Sequence, residues 1–326
     1  MRVNPRVAVT LLVAWLAIAC RPVSDPSTLD ARTMRVQVAR EGAADLPMRA
    51  TYFPPATPRA GRRDVPVVVV EPILFRRELL TVGPGPDGGL VSYLATEGFP
   101  VWLVWVDAAV PPDPRALAVG VAQVVASIAR ETGVKRVDLL GLSLGAEASL
   151  RALEPLTAPA SPVTVRRVVF LGGGFDFAYP HSIAARLAAV RGQQASALCS
   201  LDGDVDCARQ FRQPRAAVPW LGVLPPADAD ELQASRDRFP FASHLTRLPV
   251  LFVNGKADGI AASESMFPLY TFWGSDEPDP RDVPKLMFLA GRENGFAADY
   301  DHFALFGAPG ADEVWDHVVG WLKREP

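Results

Sequence analysis

The chain has 326 residues, 49% of them hydrophobic, enough for a large core around one sheet. Lysine and arginine number 33 against 36 for aspartate and glutamate, a formal net charge of −3. That balance, with no basic run, excludes the electrostatic footprint of a nucleic-acid binder, so no nucleic-acid partner is expected.

The chain opens on MRVNPRVAVTLLVAWLAIAC. Arg2 and Arg6 precede an apolar run from Val7 to Ala19, which is shorter than the roughly 20 residues of a membrane-spanning helix but suits a secretory signal core. The run ends in Ala17-Ile18-Ala19-Cys20, which resembles a bacterial lipobox. That resemblance implies cleavage before Cys20 and a lipid on its sulfur. An ordinary secretory signal with an incidental cysteine is the alternative. The expectation is a signal peptide over 1–19 and a Pro-rich tether over 20–33. The protein would then be exported and lipid-anchored to the cell envelope, at the outer membrane or the periplasmic face.

Two alternating segments follow, Met34-Val36-Val38 and Met48-Ala50-Tyr52, separated by a turn-like Gly42–Pro47 stretch. They read as an antiparallel hairpin. Val67 to Val70 is a continuous β-branched run, as in a strand buried on both faces of a parallel sheet. GGLVSYLATEG reads as a helix ended by Gly98, and FPVWLVWVDA as a second buried strand. Asp113-Pro114 suits a helix start, and the stripe Leu117, Val121, Val124, Val125, Ile128 runs to Gly133. VKRVDLL is a third buried strand, LGAEASLRALEPL a helix, and VRRVVFLGGG another strand. LPVLFVNGKAD and PKLMFLAG read as the last strands and DEVWDHVVGWLK as the last helix. The pattern predicts an α/β fold: one mostly parallel sheet with helices on both faces, built from 34–178 and 246–326.

Residues 179–245 hold few strand-like runs, and a structureless loop of that length is rare, so they are expected to form an inserted helical cap. Within them, Cys199 and Cys207 lie close together on an exported chain and read as a disulfide, with two free thiols as the alternative. Asp202, Asp204 and Asp206 lack the closing glutamate of a calcium loop, and no histidine stands at zinc-ligand spacing. The Gly172-Gly173-Gly174 run lacks the spacing of a phosphate-binding loop. No metal and no cofactor are expected.

The stretch VDLLGLSLGAEASL places Ser143 between Gly141 and Gly145, where a strand turns directly into a helix. Small flanking residues allow a tight turn, which pushes the serine hydroxyl out at the carboxyl end of the sheet. A serine is a weak nucleophile without a base. The four histidines are His181 and His244 near the ends of the cap, His317 inside the last helix, and His302 in the loop before it.

At these residues the chain resembles the α/β-hydrolase superfamily, over roughly residues 34 to 323. The superfamily's order of serine, acid, histidine implies His302 as the base. It implies an acid in the loop after VLFVN, where Asp258 stands; Asp299 and Asp301, adjacent to His302, are the rivals. An oxyanion hole would use the amide of Leu144 and an amide after VVVV. Pro72 has no N–H, so Ile73 is the second donor.

Three stretches are similar to polyhydroxyalkanoate synthases: VVVVEPILFRRELL, GKADGIAASES and HFALFGAPGADEVWDHVVGWL. Those synthases carry a cysteine where this chain has Ser143, and they are intracellular. The resemblance therefore implies the fold and the triad positions rather than the substrate. The expected activity is hydrolysis of a small-molecule acyl ester, with acyl transfer or a non-catalytic binding role as alternatives. Phe211, Trp220, Phe239 and Phe241 in the cap suit an apolar substrate.

Overall fold

The computed structural model describes residues 32–38, 46–56, 65–71, 80–81, 88–106, 114–173, 247–259, 261–274 and 283–324. In chain order its elements are β1 (Arg32–Val38), β2 (Leu46–Phe53), β3 (Val67–Val70), α1 (Leu90–Thr96), β4 (Val101–Val106), α2 (Pro114–Thr132), β5 (Arg136–Leu142), α3 (Leu144–Thr157) and β6 (Thr164–Leu171). After the gap come β7 (Val250–Gly255), a 3₁₀ turn (Ser263–Met266), α4 (Phe267–Phe272), β8 (Lys285–Ala290), a second 3₁₀ turn (Arg292–Asn294), α5 (Ala304–Gly307) and α6 (Asp312–Lys323). The cap residues 179–245, the signal, the tether up to residue 31 with Cys20, and Ile73, Cys199 and Cys207 lie outside the described residues; Arg32 and Thr33, expected in the tether, instead open β1, paired with Tyr52 and Thr51.

The strands form one sheet in the order β1-β2-β4-β3-β5-β6-β7-β8, in which β1–β2 and β2–β4 pair antiparallel and the remaining pairs are parallel. The expected hairpin is therefore present, with one difference. Leu46 and Pro47 belong to β2 rather than to the turn, opposite Val38 and Gln37. Pro47 is the second residue of the strand and precedes the pairing of β2 with β4, which begins at Met48, an end position of the kind where sheets tolerate proline.

The sequence pattern explains the layers. Val68 and Val70 point into one core, Val67 and Val69 into the other, and all four are buried. The first core holds α2, α3 and α4. The predicted stripe of α2 (Leu117, Val121, Val124, Val125, Ile128) is buried in it, and Trp273 packs edge-on to Phe170 and Phe252. The second core holds α1, α5 and α6, with Trp315, Trp321 and Phe306. Gly98 (φ 85°) and Gly133 (φ 75°) follow α1 and α2 as left-handed stops.

A register slip fastens α6 to the sheet. Val137 opposes Val165 but Asp138 opposes Arg167, leaving Arg166 as an extra residue in β6. Its guanidinium grips the fully buried Asp138 with two nitrogens and also donates to the Leu322 carbonyl of α6 (3.0 Å). Among the described residues no helix is long and apolar enough to cross a membrane.

Strand order reverses at β3, which pairs with both β4 and β5. Open α/β sheets bind ligands beyond the carboxyl ends of strands at such a switch point. β5 ends there, directly before Ser143.

Candidate active site

Ser143 sits at the junction of β5 and α3 with φ 51° and ψ −121°, and it is the one non-glycine residue with positive φ among the described residues. Such a conformation costs on the order of 1–3 kcal/mol and persists only where the surroundings impose it. Here they do. The Ser143 amide donates to the Leu171 carbonyl at the end of β6 (2.9 Å), and its carbonyl accepts from Ala146 (2.9 Å). A side chain at Gly141 would start 2.5 Å from the Ala146 Cα; one at Gly145 would start 2.4 Å from the Val70 carbonyl oxygen. The two glycines thus let α3 begin against β3 and β5, and the turn between them lifts the serine.

The base and the acid come from loops at the same rim. Ser143 Oγ lies 2.8 Å from His302 Nε2, and His302 Nδ1 lies 2.7 Å from Asp258 Oδ2. The other oxygen of Asp258 accepts the Ala261 N–H at 2.8 Å. All three side chains are buried, His302 to 2% exposure. The tautomer that satisfies both contacts carries its proton on Nδ1, donated to Asp258, and offers the Nε2 lone pair to the serine hydroxyl.

The rival carboxylates are engaged elsewhere. Asp299 Oδ1 accepts the Arg292 amide and Asp301 Oδ1 accepts the Ala304 amide, both at 2.8 Å. Each closes its own loop, as short acidic side chains do. His317 stands on the exposed side of α6, its ring tilted against Phe288 and Phe296, and takes no part in the constellation. His181 and His244 lie outside the described residues.

The histidine loop is held by packing. Phe306 meets the His302 ring edge-on at 5.3 Å and 84°, and Phe303 at 5.7 Å and 85°. Gly172, at φ 63°, leaves room for them: a Cβ there would lie 2.8 Å from Phe306 Cζ and 3.5 Å from His302 Cε1. Tyr300 ties the loop to its surroundings. Its N–H donates to the Ala290 carbonyl and its carbonyl accepts from Ala257. Its hydroxyl lies 2.6 Å from both the Gly310 carbonyl and Glu313 Oε1.

Leu144 is the first residue of α3, so its N–H has no partner within the helix and sits at the positive end of the helix dipole. The chain leaves β3 over this same point, since the Glu71 carbonyl oxygen is 2.8 Å from where a Gly145 Cβ would be. Ile73, two residues further, lies outside the described residues.

Sequence reasoning named the three converging side chains and missed two that support them. Phe306 stands four residues after His302, the spacing at which helical neighbours meet, but the helix is one turn long and carries no period. Asn254 ends the otherwise apolar strand VLFVN; a polar residue at the carboxyl end of a buried strand was the available signal.

No family model matches the chain, and no curated protein matches it. Solved structures do. A hypothetical protein from Pseudomonas aeruginosa aligns with a TM-score of 0.59 at 14% identity, covering 93% of this chain and 95% of that one. An esterase from Exiguobacterium antarcticum aligns at 0.53 and 14%, covering 89% and 99%. A thermophilic esterase from Thermogutta terrifontis aligns at 0.52 and 13%, covering 90% and 98%. Together with the mostly parallel eight-stranded sheet, these likenesses establish an α/β-hydrolase fold.

Proposed function

We propose that the protein is a serine hydrolase that cleaves carboxylic esters through an acyl-enzyme intermediate, with Ser143, His302 and Asp258 as its triad. One observation carries this reading: an unbroken buried line of hydrogen-bonding atoms from Asp258 through His302 to Ser143, ending on a serine held at φ 51°. That is the geometry in which a hydroxyl becomes a nucleophile. The esterases among the structural neighbours support the same reading.

In the proposed reaction, Ser143 Oγ attacks the ester carbonyl carbon as its proton passes to His302 Nε2. The carbonyl electron pair moves onto oxygen, and the Leu144 amide, with Ile73 as second donor, stabilises that charge. One such donor is worth on the order of 10²–10³ in kcat. Asp258 holds the ring and stabilises the imidazolium. Collapse expels the alcohol, which takes the proton from His302. Water, losing a proton to His302, then attacks the acyl-serine; collapse releases the acid and returns the proton to Ser143.

The lipid anchor at Cys20, the Cys199–Cys207 disulfide and a cap over 179–245 that shapes an apolar acyl site belong to the same proposal. Turnover of a p-nitrophenyl ester series tests the activity. A folded Ser143→Ala variant is expected to lose on the order of 10⁴-fold or more in kcat. With alcohols and thiols added as competing acceptors, the free acid is expected to remain the main product; transfer to the acceptor would favour the acyltransferase reading. Equal turnover by wild type and Ser143→Ala contradicts the triad assignment.

A further inference from the structure

Asn254 is the last side chain of β7 before the acid loop, and it is fully buried. A buried amide must be satisfied, and this one is satisfied in an informative way. Its Oδ1 accepts the Gly255 N–H at 2.9 Å, and its Nδ2 donates to the Ala261 carbonyl at 2.8 Å. An N–H meets only an acceptor and a carbonyl only a donor, so the two partners fix which way the amide faces. They are also the first and last residues of the segment 255–261, which carries Asp258. One planar side chain therefore ties both ends of that loop.

The ends of the loop are not equivalent. Its early part is held from outside, with the Lys256 amide on the Ala290 carbonyl and the Ala257 amide on the Tyr300 carbonyl, both at 3.0 Å. Its far end is held by Asn254 at Ala261. Ala261 is also the residue whose own N–H grips Asp258 Oδ1, while Oδ2 faces His302. A line of contacts thus runs from Asn254 through Ala261, Asp258 and His302 to Ser143, and all five residues are buried.

We propose that Asn254 is a positioning residue of the catalytic site. Acting through Ala261, it sets the direction of the Asp258 carboxylate and so the alignment of His302. The proposal rests on the triad reading above. Asn254 does not touch substrate; it removes a degree of freedom from the acid. A small misplacement of a catalytic group costs rate rather than binding.

The test uses Asn254→Ala and Asn254→Asp in the full-length protein. Asn254→Asp keeps an acceptor for Gly255 and sets an oxygen against the Ala261 carbonyl where the amide donated. Both variants are expected to lose on the order of 10- to 100-fold in kcat at unchanged KM. The low-field proton resonance of His302 Nδ1–H, identified by its absence in His302→Ala, is expected to broaden or vanish in both. Folded variants with wild-type kcat and an intact resonance would overturn the proposal. So would a raised KM at unchanged kcat. Loss of a cooperative unfolding transition in both variants would make Asn254 a brace of the core and count against it equally. A wild type that turns over no ester, yet shows the resonance and loses it in the variants, would sink the ester reading and leave the positioning role standing.

Discussion

At the scale of single residues, the site depends on atoms that are absent. Gly145 brings α3 against β3 so closely that an added methyl would lie 2.4 Å from one backbone oxygen and 2.8 Å from the next. β3 is paired on both sides and cannot retreat. Gly145→Ala is expected to destabilise the protein by about 1–3 kcal/mol and to depress kcat, because the Leu144 amide moves with the helix start. Gly320, on the exposed side of α6 with nothing within 4 Å, is the matched control. There, Gly320→Ala should stabilise by up to about 1 kcal/mol and leave kcat alone. Thermal denaturation and ester kinetics on both variants check the pair; similar effects at the two positions would contradict the packing argument. The three side chains that converge, Ser143, Asp258 and His302, could be picked out in the sequence because each follows a strand-like run and the serine lies between glycines. Asn254 was not, because its role depends on the return of the chain at Ala261, a contact that no local pattern encodes.

At the scale of elements, α6 is the clasp that closes the second core. Tyr93 of α1 donates its hydroxyl to Asp316 of α6 (2.5 Å), Tyr300 reaches Glu313, and Trp315 Nε1 donates to the Leu305 carbonyl (2.8 Å). Burial, and then the neighbouring carboxylates, push both phenols well above the ordinary tyrosine range. A group whose folded pKa is raised lends stability that is whole below its unfolded value, about 10 for tyrosine, and is lost as pH climbs from there through the folded value. Stability should therefore drop steeply above about pH 10. Tyr93→Phe should be less stable at neutral pH and fall more gently in alkali, so the two curves converge. Parallel curves of Tm against pH would contradict this. The long helices and the strands were readable from apolar stripes and β-branched runs. The elements that escaped, α4, α5 and the two 3₁₀ turns, are one or two turns long, too short for a period to show, and tertiary packing rather than propensity holds them.

At the scale of the molecule, the order of strands does the decisive positioning. Because the chain reverses direction across the sheet at β3, β5 ends at the switch point, and the loops after β7 and β8 return to the same rim from the far side. Residues 143, 258 and 302 are far apart in sequence, and their meeting is a consequence of this winding. The alternation of buried runs with helical stripes made the mostly parallel sheet and its two helical layers readable in advance, while the strand order came only from the structure. The cap and the anchor belong to the proposal, the first argued from the aromatic content of 179–245 and the second from the motif at Cys20. The central claim is narrower: the hydroxyl of Ser143 is activated by His302. Mass spectrometry after exposure to a fluorophosphonate measures that directly. A single adduct on the peptide carrying Ser143, absent from Ser143→Ala and formed far more slowly in His302→Ala, is the predicted result. No adduct on the folded wild type, or the same adduct on Ser143→Ala at another residue, would contradict it.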